Sequence, residues 1–431
     1  MKNIILLIIT SSILSIKCIE PPAGASSAAV VAKLSSLLNQ KEFFKLEKEL
    51  NSDRGNISNN QRLYFQSFID DAFNRNEASV NTIDTLLNNY SASLTDSTKA
   101  ALQLLQADCY FKLFEYRKAA FNDSLVLNRY SKSLDSAKVS DIKNGLLIRN
   151  ALRFAPPQFT SITRNTNIKW TRDAIGLIEI PVKHDTTTYS CIFDTRANIS
   201  SITQTYATKL GLKMLDVSYD EASGITGIQF KTGLGIADSL YIGNILIRNA
   251  VFQVMPDSIL YLAPINFSLN VIIGFPVINQ LKEIHILKDG QMIIPLLESA
   301  SDLHNFALDG LDPVILLLTG KDTLLFNLDL GATTSDLYYG YFEKYKQQIL
   351  KEGHKKTIQL GGAGGIQKKV VYTMPHIELS LGTKKVILDS ADILLQKIFP
   401  EEKMYGNIGN DFTSQFNELI LNFDKMYIKG N

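Results

Sequence analysis

Cysteine is scarce in this chain: three residues in 431, at Cys18, Cys109 and Cys191. That is too few for a small disulfide-stapled scaffold, and Cys109 and Cys191 both sit in apolar surroundings, so both are expected as buried thiols. One-signed charge is also missing. The 44 basic and 43 acidic residues nearly cancel and no basic block stands out, which removes the electrostatic footprint of a nucleic-acid binder. No apolar run reaches the twenty or so residues that span a bilayer. The five histidines, His184, His285, His304, His354 and His376, form no His-x-x-x-His pair for zinc. Gly320-Lys321 has Ile315 where a phosphate loop needs its first glycine, and Gly233-x-Gly235 runs to Asp238 without a third glycine, so neither nucleotide motif is complete. No Gly-x-Ser-x-Gly turn is present. The single tryptophan, Trp170, reads as packing.

What is present is 45% hydrophobic residues, enough for real cores in two or three domains. Residues 1–25 read as an export signal: Lys2 supplies the positive start, and the apolar run 4–16 is of signal-peptide length. Ala23-Gly24-Ala25 offers a small-x-small cleavage site. Cys18 marks a lipid-attachment alternative, with Lys17 standing where such a site takes a small residue. The chain is accordingly expected to be exported, to the periplasm or cell envelope.

Residues 26–155 carry apolar positions at three- and four-residue spacing over 30–50, 60–74, 82–89 and 97–114, the pattern of amphipathic helices. Ala107 and Ala119, with Tyr110 and Tyr116 between them, are similar to one tetratricopeptide unit, in which small residues let antiparallel helices approach. An ordinary helical bundle is the alternative. Either form serves binding, so a protein partner for this region is expected. Phe154-Ala155-Pro156-Pro157 ends the helical pattern, since proline lacks the N–H donor and disfavours a helical predecessor.

From residue 167 onward the pattern turns to short aliphatic and β-branched runs: 177–182, 189–193, 240–242 and 251–254, then, after a polar connector near 298–304, 314–318, 323–328, 370–372, 377–381 and 419–423. Across these two stretches one motif recurs. Cys191-Ile192-Phe193-Asp194-Thr195-Arg196-Ala197 returns in outline as Phe326-Asn327-Leu328-Asp329-Leu330-Gly331-Ala332. Ile272-Ile273-Gly274 ends 80 positions after Asp194 (274 − 194), and Asn407-Ile408-Gly409 ends 80 after Asp329 (409 − 329). Ser200 and Ser335 each lie six residues beyond their aspartate, Tyr206 and Tyr341 twelve. Glycine-rich turns follow in both halves, one around Gly224, Thr226 and Gly227, the other around Gly362, Gly364 and Gly365. A duplicated β lobe leaves such a long-period match.

These paired motifs resemble the two half-sites of a retropepsin-like or pepsin-like aspartic peptidase with both lobes in one chain, of an exported bacterial type with a helical N-terminal domain. The resemblance implies an all-α domain followed by two homologous all-β lobes, over residues 167–297 and 308–431. It implies Asp194 and Asp329 as a catalytic dyad, supported by Thr195, Arg196, Ala197, Gly331, Ala332, Gly274 and Gly409. It implies flaps at the two glycine-rich turns, a polypeptide substrate in the inter-lobe cleft, and no metal or organic cofactor.

The chemistry requires two carboxyls close enough to share a proton, because neighbouring like charges cannot both ionise easily. Three positions depart from the family pattern: Arg196 stands for the first glycine, Leu330 for the second hydroxyl residue, and Asn407 for an apolar residue. A guanidinium facing the dyad would favour two ionised carboxylates; one facing solvent would still burden a turn that normally holds glycine. Two functions therefore stay open: an aspartic endopeptidase, and a catalytically silent relative that binds peptides or protein partners.

Overall fold

The computed structural model describes residues 27–53, 55–222, 229–362, 365–398 and 402–431. The expected signal segment 1–25, with Cys18, lies outside them, as do Gly224, Thr226, Gly227 and Gly364. The described residues form two compact units, one of the helices up to Pro157 together with Ala307–Gly310, the other of Gln158–Phe306 and Leu311–Asn431.

In the helical unit, amphipathic segments fold as α1 (Ala28–Asn39), α2 (Phe43–Ser52), α3 (Asn59–Ala72), α4 (Asn76–Asn89), α5 (Asp96–Lys112), α6 (Tyr116–Arg129) and α7 (Ser136–Leu152). The single helix expected over 30–50 is in fact two. Lys41 adopts a left-handed backbone (φ 60°) between α1 and α2, and no glycine or proline announces the break. Asn74 and Phe114 take the same conformation (φ 57° and 60°) at the α3–α4 and α5–α6 turns. A sequence signal accompanies this spacing: Tyr90-Ser-Ala-Ser-Leu94 returns 40 positions later as Tyr130-Ser-Lys-Ser-Leu134. Each copy is a short 3₁₀ turn leading to a capped helix. Thr95 Oγ1 accepts from Thr98 N, and Asp135 accepts from Lys138 N, satisfying N–H groups that the first helical turn leaves unpaired.

Ala100, Ala101, Ala107 and Ala119 are fully buried, which lets the helix backbones approach closely. Charges are buried there too. Arg149 on α7 donates to both carboxylate oxygens of Asp123 on α6, at 2.7 and 2.8 Å, and to Asp108 on α5. Lys112 on α5 reaches Asp71 on α3 at 2.7 Å.

The β unit contains two sheets of ten strands each and a five-stranded antiparallel sheet to which both halves of the sequence contribute. That third sheet runs Thr166–Lys169, Gln291–Ile294, Glu283–Leu287, Glu418–Asn422 and Tyr427–Gly430. Buried Glu283 holds it together from within, accepting from Asn422 Nδ2 at 2.7 Å and Tyr427 Oη at 3.0 Å. Trp170 packs at this sheet, its indole donating to the carbonyls of Leu287 and Gln291.

The two ten-stranded sheets share a local construction. In the first, Thr187–Phe193 delivers the chain to Asp194 and lies parallel to Val271–Ile273, with Ile272 opposite Ile192 and Ile273 opposite Phe193. In the second, Asp322–Leu328 delivers Asp329 and lies parallel to Gly406–Ile408, with Asn407 opposite Asn327 and Ile408 opposite Leu328. Each aspartate N–H donates to the last carbonyl of its partner strand, Ile273 at 3.0 Å and Ile408 at 2.9 Å. Under the first loop Leu177, Ile192, Ala197, Leu260 and Ile272 form a continuous buried cluster. Each large side chain of this kind contributes about 1.5–3 kcal/mol by burial.

Candidate functional site

The spacing that stands out in the sequence has a direct geometric reading. Ser200 Oγ accepts from Gly274 N at 3.0 Å, and Ser335 Oγ accepts from Gly409 N at 3.0 Å. The apolar triplet of each half is thereby tied to the segment just after its aspartate. Both glycines sit against backbone. A β-carbon on Gly274 would lie 2.4 Å from the Ala197 carbonyl oxygen, and one on Gly409 would lie 2.6 Å from that of Thr334.

Asp194 and Asp329 are both buried, 1% and 0% exposed. Asp194 Oδ1 accepts from the N–H groups of Arg196 and Ala197 at 2.8 and 3.1 Å. Asp329 Oδ2 accepts from Asn407 Nδ2 at 2.9 Å. The other oxygens, Asp194 Oδ2 and Asp329 Oδ1, accept no hydrogen bond from the described residues.

The turn of the second lobe approaches the first carboxylate as only glycine permits, for a β-carbon on Gly331 would lie 2.2 Å from Asp194 Cγ and 2.3 Å from its Oδ2. Burial, and then the charge of Asp329, push the Asp194 carboxyl well above its ordinary range. Burial also raises Asp329, to about 6, against the lowering influence of the Arg196 guanidinium and the Asn407 hydrogen bond. The two groups titrate as a coupled pair.

Thr195 crosses to the other lobe. Its Oγ1 donates to the Leu328 carbonyl at 2.9 Å and accepts from Leu330 N at 3.0 Å. Leu330 has no hydroxyl with which to return these bonds. Its side chain is fully buried, and its carbonyl accepts from Asn410 Nδ2 at 2.9 Å; Asn410 also holds the Ala332 carbonyl at 2.8 Å.

The Arg196 side chain turns into the protein, and among the described residues its guanidinium bonds to neither carboxylate of the dyad. Its Nη1 donates to Asn407 Oδ1 at 2.9 Å and lies 3.5 Å from Tyr338 Oη, while Nη2 lies 3.5 Å from Asp312 Oδ2. Two of the three departures from the motif are thus one device: fully buried Asn407 bridges Arg196 to Asp329. Single-position reading of the sequence misses this, because the pair is 211 residues apart.

Beside the second loop lies a groove of about 1020 Å³, lined by Ile175 and Phe267 from one lobe and by Thr333, Thr334, Lys356 and Asp392 from the other. Gly362 and Gly365, expected in a flap, face each other at the end of the hairpin His354–Gly362/Gly365–Met374. Lys356 to Gln359 on that hairpin line the groove. Cys109 and Cys191 are free and buried. Among the described residues, no cluster of His, Cys, Asp and Glu suited to a metal ion occurs, and no helix is long and apolar enough to cross a membrane.

No protein-family model matches the sequence, and no curated protein matches it. Among solved structures, the soybean basic 7S globulin aligns over 62% of this chain and 94% of its own, at 8% identity and a TM-score of 0.39. A retropepsin-like aspartic protease from Rickettsia conorii aligns over 31% of this chain and 99% of its own, at 18% identity and a TM-score of 0.22.

Proposed function

We propose that the β unit is an aspartic-type endopeptidase of bilobal, retropepsin-like or pepsin-like construction, its lobes related by duplication and its dyad formed by Asp194 and Asp329. The observation that carries this reading is the pair of buried, mutually coupled carboxyls, each with one oxygen bound by N–H donors and the other left without one. Such a pair holds a single proton between two groups. The ionised member takes a proton from water and the protonated member polarises the scissile carbonyl. Thr195 keeps the lobes in register, and an extended polypeptide would enter by the groove beside the second loop, which Thr333 and Thr334 line and neither aspartate of the dyad does. The helical unit is read as a helical-repeat-like, partner-binding domain on its close-packed buried alanines; its sequence return at 40 residues is longer than the roughly 34 of a tetratricopeptide unit. The protein is exported.

The second reading, a silent relative that only binds peptides, rests on Leu330, where the reciprocal cross-lobe hydroxyl is missing. Leu330→Thr separates the two. Under the peptidase reading the wild type already cleaves unstructured peptides, and the substitution changes kcat by a modest factor. Cleavage by Leu330→Thr alone would establish the silent relative.

A further inference from the structure

Arginine carries donors only, so the Asn407 oxygen must face Arg196 and its NH₂ must face Asp329. The amide orientation is therefore dictated by the arginine, and Asp329 Oδ2 must be an acceptor. Asp194 has no such donor from a charged network. Its bound oxygen takes two backbone N–H groups, and the Gly331 turn closes over its carboxyl so tightly that a β-carbon there would meet Cγ and both oxygens.

We propose that Arg196, acting through Asn407, is a positioning residue that assigns the roles in the dyad: Asp329 enters the reaction as the carboxylate and Asp194 as the acid. This assignment rests on the peptidase reading for its chemistry, though not for its geometry. In the forward step Asp329 takes a proton from water, and the water oxygen bonds to the scissile carbon. The carbonyl π pair moves to its oxygen, which takes the Asp194 proton. In the second step the Asp329 proton passes to the amide nitrogen as the C–N bond breaks. One hydroxyl of the diol returns a proton to Asp194, restoring the starting pair.

The charged and titratable groups around this device are Asp312 on Asp312–Thr319, Tyr338, Asp336 on Asp336–Leu337, and Glu402 near Tyr338. Asp312 balances the guanidinium. Tyr338 is raised by burial to about 12 and stays neutral. Burial and neighbouring carboxylates keep Asp336 protonated well above the ordinary range.

The test is side-chain carboxyl titration by NMR on aspartate-labelled full-length protein, with Asp194→Asn and Asp329→Asn identifying the signals. In the wild type Asp329 should ionise before Asp194, near pH 6, while in Asp329→Asn the Asp194 midpoint should fall because its charged neighbour is gone. Arg196→Met and Asn407→Leu should each move the Asp329 midpoint upward, with the double variant moving it no further than the larger single effect. On the acid limb, kcat/KM should fall about tenfold for each unit of that movement. An Asp194 that ionises before Asp329 in the wild type overturns the assignment, as does an Asp329 midpoint indifferent to both substitutions. Should the expected titration occur in a protein that cleaves nothing, the control of the ionisation order by Arg196 and Asn407 stands, and the peptidase reading falls together with the reaction roles. Cleavage accompanied by the reversed titration keeps the peptidase reading and overturns the assignment.

Discussion

Burying a carboxyl that ionises only near pH 6 makes the folded protein lose stability as pH rises. Asp329 has a folded value of about 6 against an ordinary 3.8. Between those values the native state binds more protons than the unfolded chain, so stability is fully present below about pH 4 and falls as pH climbs through 6. At about 1.36 kcal/mol per unit, a shift of roughly two units removes about 3 kcal/mol by neutral pH. Asp329→Asn removes the ionisable group while its side-chain oxygen still accepts from Asn407. The variant should match the wild type near pH 3.5 and exceed it by about 3 kcal/mol at pH 8. Denaturant unfolding followed at Trp170, which packs at the sheet shared by both lobes, reads this difference at a series of pH values. Parallel pH profiles for the two proteins, or a variant weaker at pH 8, would refute the buried-carboxyl account.

Gly331→Ala should displace the Asp194 carboxyl by about an ångström to relieve its 2.2 Å approach, lowering kcat on an unstructured peptide about 100-fold. Overpacking should also cost about 1–3 kcal/mol in unfolding experiments. Arg149→Leu leaves Asp108 and Asp123 buried without their cation, and should destabilise the helical unit by about 3–5 kcal/mol, measured by its circular dichroism melt.

The paired aspartates, their downstream glycines and the two serines were legible in the sequence because the local construction that both ten-stranded sheets share uses the same residue types at one spacing. Ser200 and Ser335 turn out to be the acceptors for Gly274 and Gly409, so that match was structural information waiting for its geometry. The Arg196–Asn407 pairing was not legible. Each residue alone departs from the motif; the parallel register of Gly406–Ile408 beside Asp322–Leu328 sets Asn407 next to Asp329, and the cross-lobe packing of the two aspartate loops brings Arg196 to it. The break between α1 and α2 was hidden for a different reason: a lysine adopts the left-handed turn, against the usual preference for glycine or asparagine. The 40-residue return of Tyr-Ser-x-Ser-Leu was available in the sequence and would have located the boundaries before α5 and α7.

The most direct measurement of the central claim is cleavage of an unstructured peptide mixture by the purified wild type, Asp194→Asn and Asp329→Asn across pH 4–8, read by mass spectrometry. Asp194 and Asp329 acting as one dyad predicts internal cleavages by the wild type alone, on an acid limb centred near pH 6. No cleavage by the wild type at any of these pH values, or cleavage that survives either asparagine, would contradict it.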